Sequence, residues 1–169
     1  MMKIDPNEVR EYLSHCGPNT KIYLGADSER FRQHGVWHAD YMLVCVIHID
    51  GSKGCKIFGE IQREIDYDAK ASRPAMRLMT EVYKVSELYS RLLEPILEAG
   101  FADIEIHLDI NSDDTAVSNM VISQAVGYIK ATCNVVPLCK PHSPAASFCA
   151  DHLKLILQNQ GRKMEPISA

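Results

Sequence analysis

The sequence predicts an α/β fold built on a mixed five-stranded sheet, and three observations carry that expectation. Two apolar segments, Ile22-Tyr23-Leu24 and Ile104-Glu105-Ile106-His107-Leu108, read as strands, and each delivers an aspartate, Asp27 and Asp109, at its carboxyl end. Between them Leu78, Val82, Val85, Tyr89, Leu92 and Ile96 recur at the spacing of one face of a long helix. Residues 21–65 break at turn signals in the manner of an antiparallel meander.

Taken in order, residues 5–16 suit a short amphipathic helix, with Asp5 as N-cap, Pro6 at the first position and Gly17-Pro18-Asn19 as the stop. Residues 21–27 form the first strand. The polar residues 28–35 read as a loop. Residues 36–49 form the second strand, Asp50-Gly51-Ser52-Lys53-Gly54 a turn, and residues 56–65 the third strand. The long helix opens at Ser72 or Arg73 with Pro74 in its first turn. Pro95 is expected to kink or end it, and Gly100 closes the region. Residues 104–109 form the fourth strand. A helix over residues 117–131 follows, with Asp113, Asp114 and Thr115 as capping candidates. Residues 135–139 make a short fifth strand. Ser143-Pro144 caps a last helix running to about residue 158, and the polar tail 159–169 frays.

The composition fits one domain over residues 1–169, with its core at about 21–158. A chain of 169 residues buries roughly two thirds of its unfolded surface, so it needs no disulfide or structural metal to fold. A net charge of -4 excludes a broad basic surface but leaves room for a local basic patch beside an acidic centre. The six cysteines form no C-x-x-C pair, which disfavours a zinc site and suits reduced thiols in the cytoplasm. The N-terminus has no signal-peptide pattern, and no apolar run is long enough to span a membrane. The oligomeric state is left open.

The element order is β-β-β-α-β-α-β-α. A right-handed crossover through the long helix places the fourth strand parallel to the first and beside it, which brings Asp27 and Asp109 to the same sheet end. This is the ribonuclease H-like architecture, with helices on both faces of the sheet. The phrases Tyr23-Leu24-Gly25-Ala26-Asp27-Ser28, His107-Leu108-Asp109-Ile110-Asn111, Val126-Gly127-Tyr128 and Lys140-Pro141-His142-Ser143-Pro144-Ala145-Ala146-Ser147, with Ala150-Asp151-His152 after them, resemble the YkuK-type ribonuclease H-like family. The resemblance runs from about Lys21 to Leu157. It implies the fold more strongly than the reaction, which for that family is expected to be nucleolytic.

In the ribonuclease H fold, acids on the first strand, first long helix, fourth strand and last helix bind two divalent ions. The resemblance puts these at Asp27, Glu81, Asp109 and Asp151, with Mg2+ or Mn2+ as cofactor and RNA, DNA or a hybrid as partner. Hard cations prefer such oxygen ligands, and a pair of ions can stabilise both the attacking and the leaving oxygen of a phosphoryl displacement. Each acid also has a plainer explanation. Asp27 and Asp109 are residues that start turns; Glu81 has Arg77 and Lys84 within helical reach, and Asp151 has Lys154. Glu87, between Lys84 and Arg91, reads as a solvated ion-pair residue. Ser28, Asn119 and Lys140 are candidate substrate contacts, Ser28 also a residue that orients Asp27; as turn, cap or surface residues they need no ligand. His142 and His152 flank the last helix, where a histidine can shuttle protons or simply be polar surface.

The run Asp109-Ile110-Asn111-Ser112-Asp113 copies the start of a calcium-binding loop. Asp114 stands where such a loop needs glycine and Met120 where it needs glutamate, so that reading fails. There is no phosphate-binding G-x-x-x-x-G-K loop, dinucleotide fingerprint or nucleophile elbow. An inactive nucleic-acid-binding module or an adaptor on the same fold remains the alternative to a nuclease.

Overall fold

A computed structural model of the chain describes residues 3–51, 53–67, 75–111 and 119–140, with the backbone alone at Gly51, Ala75, Asn111, Asn119 and Lys140. Helix α1, Pro6–Ser14, begins as the sequence predicts: the Asn7 N–H donates to Asp5 Oδ1 at 2.9 Å, and Pro6 fills the first turn. Strand β1, Lys21–Gln33, and strand β2, Val36–His48, form a long hairpin, and β3, Cys55–Ile65, pairs antiparallel with β2. Helix α2, Ala75–Glu98, crosses over to β4, Ile104–Asn111, which runs parallel to β1. Helix α3, Asn119–Cys133, leads to the short β5, Leu138–Lys140, parallel to β4. The sheet order is β3-β2-β1-β4-β5, the mixed five-stranded sheet expected.

Two expectations need correction. Residues 28–35 are not a loop. β1 continues through them to Gln33, and the chain reverses at His34-Gly35, where φ is 50° and 78°. Two successive positive φ angles make the two-residue turn whose twist matches that of the flanking strands. The segment looked like a loop because much of it stays accessible, so no apolar alternation marks it. Nor does Pro95 end α2, which continues to Glu98. Pro95 forfeits one hydrogen bond near the helix end, while Leu92 and Ile96 on either side of it are wholly buried and hold the helix to the sheet. The helix closes at Gly100, as the sequence predicts. There φ is 94°, the Phe101 N–H donates to the Ile96 carbonyl at 3.2 Å, and the Gly100 N–H to the Leu97 carbonyl at 2.9 Å.

The main core lies between the sheet and α2. Ile22, Leu24 and Ala26 of β1, Leu43, Cys45 and Ile47 of β2, and Ile104, Ile106 and Leu108 of β4 meet Leu78, Val82, Val85, Leu88 and Leu92 of α2. Val9 and Leu13 of α1, and Ala125 and Ile129 of α3, extend the same core, so the three described helices share one face. On the other face Met42, Val44 and Val46 are buried beside Tyr23, Ile57 and Ile61. The last helix expected from Ser143-Pro144 to about residue 158, with Asp151, His142 and His152, lies outside the described residues, as do the capping candidates Asp113, Asp114 and Thr115.

Strand β3 meets α2 differently. Its helix-facing residues Glu60, Gln62 and Glu64 are polar and are held by cations from α2. Arg91 donates to Glu60 Oε1, Gln62 Nε2 to Glu60 Oε2 at 3.1 Å, and Lys84 Nζ to both Gln62 Oε1 and Glu64 Oε1 at 2.6 Å. The five described cysteines are free thiols. Among the described residues no helix is long and apolar enough to cross a membrane.

Candidate functional site

Asp27 and Asp109 reach the same end of the sheet through the β1–β4 register. The last registered pair is Ala26 with Leu108, so the two aspartates are the next residues on adjacent parallel strands. Strands in a sheet lie about 4.8 Å apart, and successive side chains point to opposite faces. Ala26 and Leu108 enter the core under α2; Asp27 and Asp109 therefore face away from it. Asp27 is not the end of its strand, as expected, but the end of the part of β1 that β4 accompanies.

Glu81 arrives from the other side. It lies on α2 one turn after Arg77, and only 5% of it is exposed. Ser28, the residue after Asp27, points toward α2, and its hydroxyl donates to Glu81 Oε1. The Ser28 N–H donates to Asp27 Oδ1 at 2.8 Å. One residue thus binds two of the predicted acids, one through its backbone and one through its side chain.

Burial holds the Glu81 carboxyl well above its ordinary range. The nearby charges of Asp27 and Asp109 push the same way, and the Ser28 hydrogen bond and Arg77 oppose them. Of the expected partners of Glu81, Lys84 is engaged elsewhere, by Gln62 and Glu64, whereas Arg77 lies 3.8 Å from Asp66 and still acts on Glu81 by charge. Glu87 is exposed, as predicted, but Lys84 and Arg91 turn toward β3 rather than toward it.

These three carboxylates sense one another electrostatically, yet they do not form a closed cage. Among the described residues no three histidine, cysteine, aspartate or glutamate side chains are grouped to hold a metal ion. The alternation of β1 sets Asp27 on the face away from α2 and Ser28 toward it, so the carboxylates of Asp27 and Glu81 approach the strand from different sides. Oxygen donors of this kind nevertheless suit a hard divalent cation. Asp151 lies outside the described residues, as do the side chains of Asn119 and Lys140. The backbone places Asn119 at the start of α3 and Lys140 opposite Asn111 of β4.

Two neighbours of the site escaped the sequence reading. Tyr41 lies opposite Ser28 in the hairpin and is 3% exposed. Its hydroxyl is pushed up to about 12 by burial, against a hydrogen bond with Thr80, with the charges of Glu81, Asp66 and Glu64 adding to the rise. Reading residues 28–33 as strand would have revealed it, because the register follows from the turn. His107 is buried on the Asp109 side, with Nε2 3.0 Å from Glu105 Oε2 and its ring 4.8 Å from that of Tyr23. A cleft lined by Asn19, Lys21, Tyr89, Asp103 and Asn134 lies at the opposite end of the sheet, away from the acids.

No curated protein and no solved structure matches the chain significantly. The family model described as ribonuclease H-like matches residues 7–154, from α1 past β5. With the 3-2-1-4-5 strand order and the paired aspartates at the ends of the β1–β4 register, that match shows that the chain belongs to the ribonuclease H-like family.

Proposed function

We propose that the protein is a nuclease that hydrolyses phosphodiester bonds of nucleic acid with Mg2+ or Mn2+. The observation that carries this reading is the placement of Asp27 and Asp109 directly after the Ala26–Leu108 pair, with the buried Glu81 coupled to both by charge. Asp27, Asp109 and Glu81 would hold the cation, with Asp151 as the fourth ligand of the proposal. A carboxyl that resists ionisation in the free protein ionises readily when a cation replaces the proton, so binding and proton release are coupled at Glu81. When bound, such ions supply Lewis-acid stabilisation of the charge that develops on phosphoryl oxygens. The chain's own residues set the geometry. Ser28 fixes the spacing of Asp27 and Glu81, and Tyr41 and α2 keep water from the inner side of Glu81. Asn119 and Lys140 are the proposed contacts to the substrate. The free thiols of the five described cysteines support a cytoplasmic location.

The test is a cleavage screen of RNA, DNA, hybrid and branched substrates with Mg2+, Mn2+ or chelator. Ion-dependent hydrolysis of one class is the expected result; no hydrolysis of any class with either ion overturns the reading. One observation favours a second reading, a nucleic-acid-binding module without catalysis: the described acids are not grouped as a three-ligand cage. Such a module binds its partner equally well in chelator.

A further inference from the structure

We propose that the outer half of the β1–β2 hairpin is a docking ribbon for a single nucleic-acid strand, on which Trp37 stacks a base and Arg32 meets a phosphate. Past Ala26, β4 no longer accompanies β1, while β1 and β2 continue together from Ser28 opposite Tyr41 to Gln33 opposite Val36. The ribbon ends in the two-residue turn His34-Gly35. Near that turn the protein exposes an indole: Trp37 is 41% exposed and its neighbour Val36 44%.

The indole is held in place. The Arg30 guanidinium sits 4.1 Å from its ring centroid and that of Arg32 6.0 Å. Arg30 is itself anchored by Asp66 at 2.5 Å, and the Asp66 N–H donates to the Trp37 carbonyl at 2.9 Å. Arg32 is exposed, and among the described residues no carboxylate stands within ion-pair distance of it. A fixed, accessible aromatic ring beside exposed cationic charge is the arrangement that binds single strands, since every base has a face to stack and every nucleotide a phosphate. On a chain whose net charge is -4, Arg30 and Arg32 make a local cationic patch on the face of β1 that also carries Ser28 and its bonded Glu81. Arg32 lies five positions beyond Asp27 on β1 and on the opposite face of the strand, about 17 Å along it at about 3.4 Å per residue, the length of roughly five stacked nucleotides.

The proposal deepens the nuclease reading and rests on it only for that spacing; the binding itself needs no metal. Trp37 is the one tryptophan in the chain, so tryptophan fluorescence, excited beyond the absorption of the tyrosines, reports on it alone. The full chain in chelator is titrated with single-stranded oligo-dT and oligo-rU of about 15 nucleotides, the upper range of site sizes for such surfaces. We expect saturable quenching. Labelled-oligomer anisotropy should show Trp37→Ala weakening binding on the order of ten-fold and Trp37→Phe retaining most of it. Arg32→Ala should lower the salt dependence of log affinity by about one unit of slope or slightly less. Circular dichroism checks that each variant is folded. Binding without a fluorescence change, or Trp37→Ala and Arg32→Ala that bind like wild type, overturns the ribbon. Quenching by oligomers from a protein that cleaves nothing supports the ribbon and refutes the nuclease reading; cleavage without quenching does the reverse.

Discussion

Replacing Glu81 with Gln should abolish a specific pH dependence of stability. In the unfolded chain a glutamate loses its proton near the ordinary value of 4.5, whereas folded Glu81 keeps it to much higher pH. Within that window the folded state holds more protons than the unfolded state, so stability falls as pH rises. The slope is at most about 1.4 kcal/mol per pH unit for one group, and it levels off above the folded value. Glutamine has nearly the same shape and can still accept the Ser28 hydrogen bond, but it carries no ionisation cost. Glu81→Gln should therefore match wild type near pH 4 and exceed it increasingly toward neutral pH. With a urea m-value of about 2 kcal/mol/M, the midpoints should separate by about 0.7 M per pH unit inside the window. The assay is urea unfolding in chelator between about pH 4 and pH 8, following the linkage relation. Parallel wild-type and Glu81→Gln curves across that range would show that Glu81 ionises normally and that its burial carries no charge penalty.

Three further outcomes follow from the same residues. Millimolar Mg2+ or Mn2+ should raise the melting temperature, with about 2.7 kcal/mol of added stability at a hundred times Kd, read by thermal melts with and without chelator. Asp27→Asn should abolish ion-dependent hydrolysis without loss of fold, Asp151→Asn should reduce it less, and Glu87→Gln should leave it unchanged, since Glu87 is exposed and its helical neighbours Lys84 and Arg91 pair with β3 instead; cleavage assays paired with circular dichroism decide this. Arg91→Met should destabilise the protein by about 3 kcal/mol, because it strands the Glu60 carboxylate, whose side chain is 1% exposed. The estimate takes the low end of the usual range because Gln62 and the Ile4 N–H, at 3.4 Å, still donate to Glu60, and denaturant midpoints measure it.

The regular parts of the fold were legible because their signals are local. The stripe of α2 survives as Leu78, Val82, Val85, Leu92 and Ile96, and the N-cap of α1 at Asp5 and the stop at Gly100 stand where the chemistry of those residues puts them. The juxtaposition of Asp27 and Asp109 was legible because crossover handedness and strand polarity together fix it. The outer hairpin was not, because Arg30, Phe31, Arg32 and Gln33 have the composition of a loop. Their pairing depends on partners such as Ala39 and Trp37 rather than on their own pattern. The link from Ser28 to Glu81 was hidden for the same reason: the face on which a residue sits depends on the register, and the register on the turn. Pro95 misled because its intrinsic penalty is local, whereas the burial of Leu92 and Ile96 that overrides it belongs to the assembled core.

The polar inner side of β3 bears on what the edge of the sheet can pair with. β3 closes one edge of the sheet and is 11 residues long, long enough to template pairing with a foreign strand. Open edges of that length invite aggregation unless the strand carries a deterrent, and inward-pointing charge is one such deterrent. Glu60, Gln62 and Glu64 can sit under α2 only because Arg91 and Lys84 are there to meet them. A strand added beside β3 would have to set its own inward-facing side chains next to these polar groups, already paired with their own helix, rather than next to apolar ones. The same charges that tie the edge to its own helix therefore make it a poor partner for another chain.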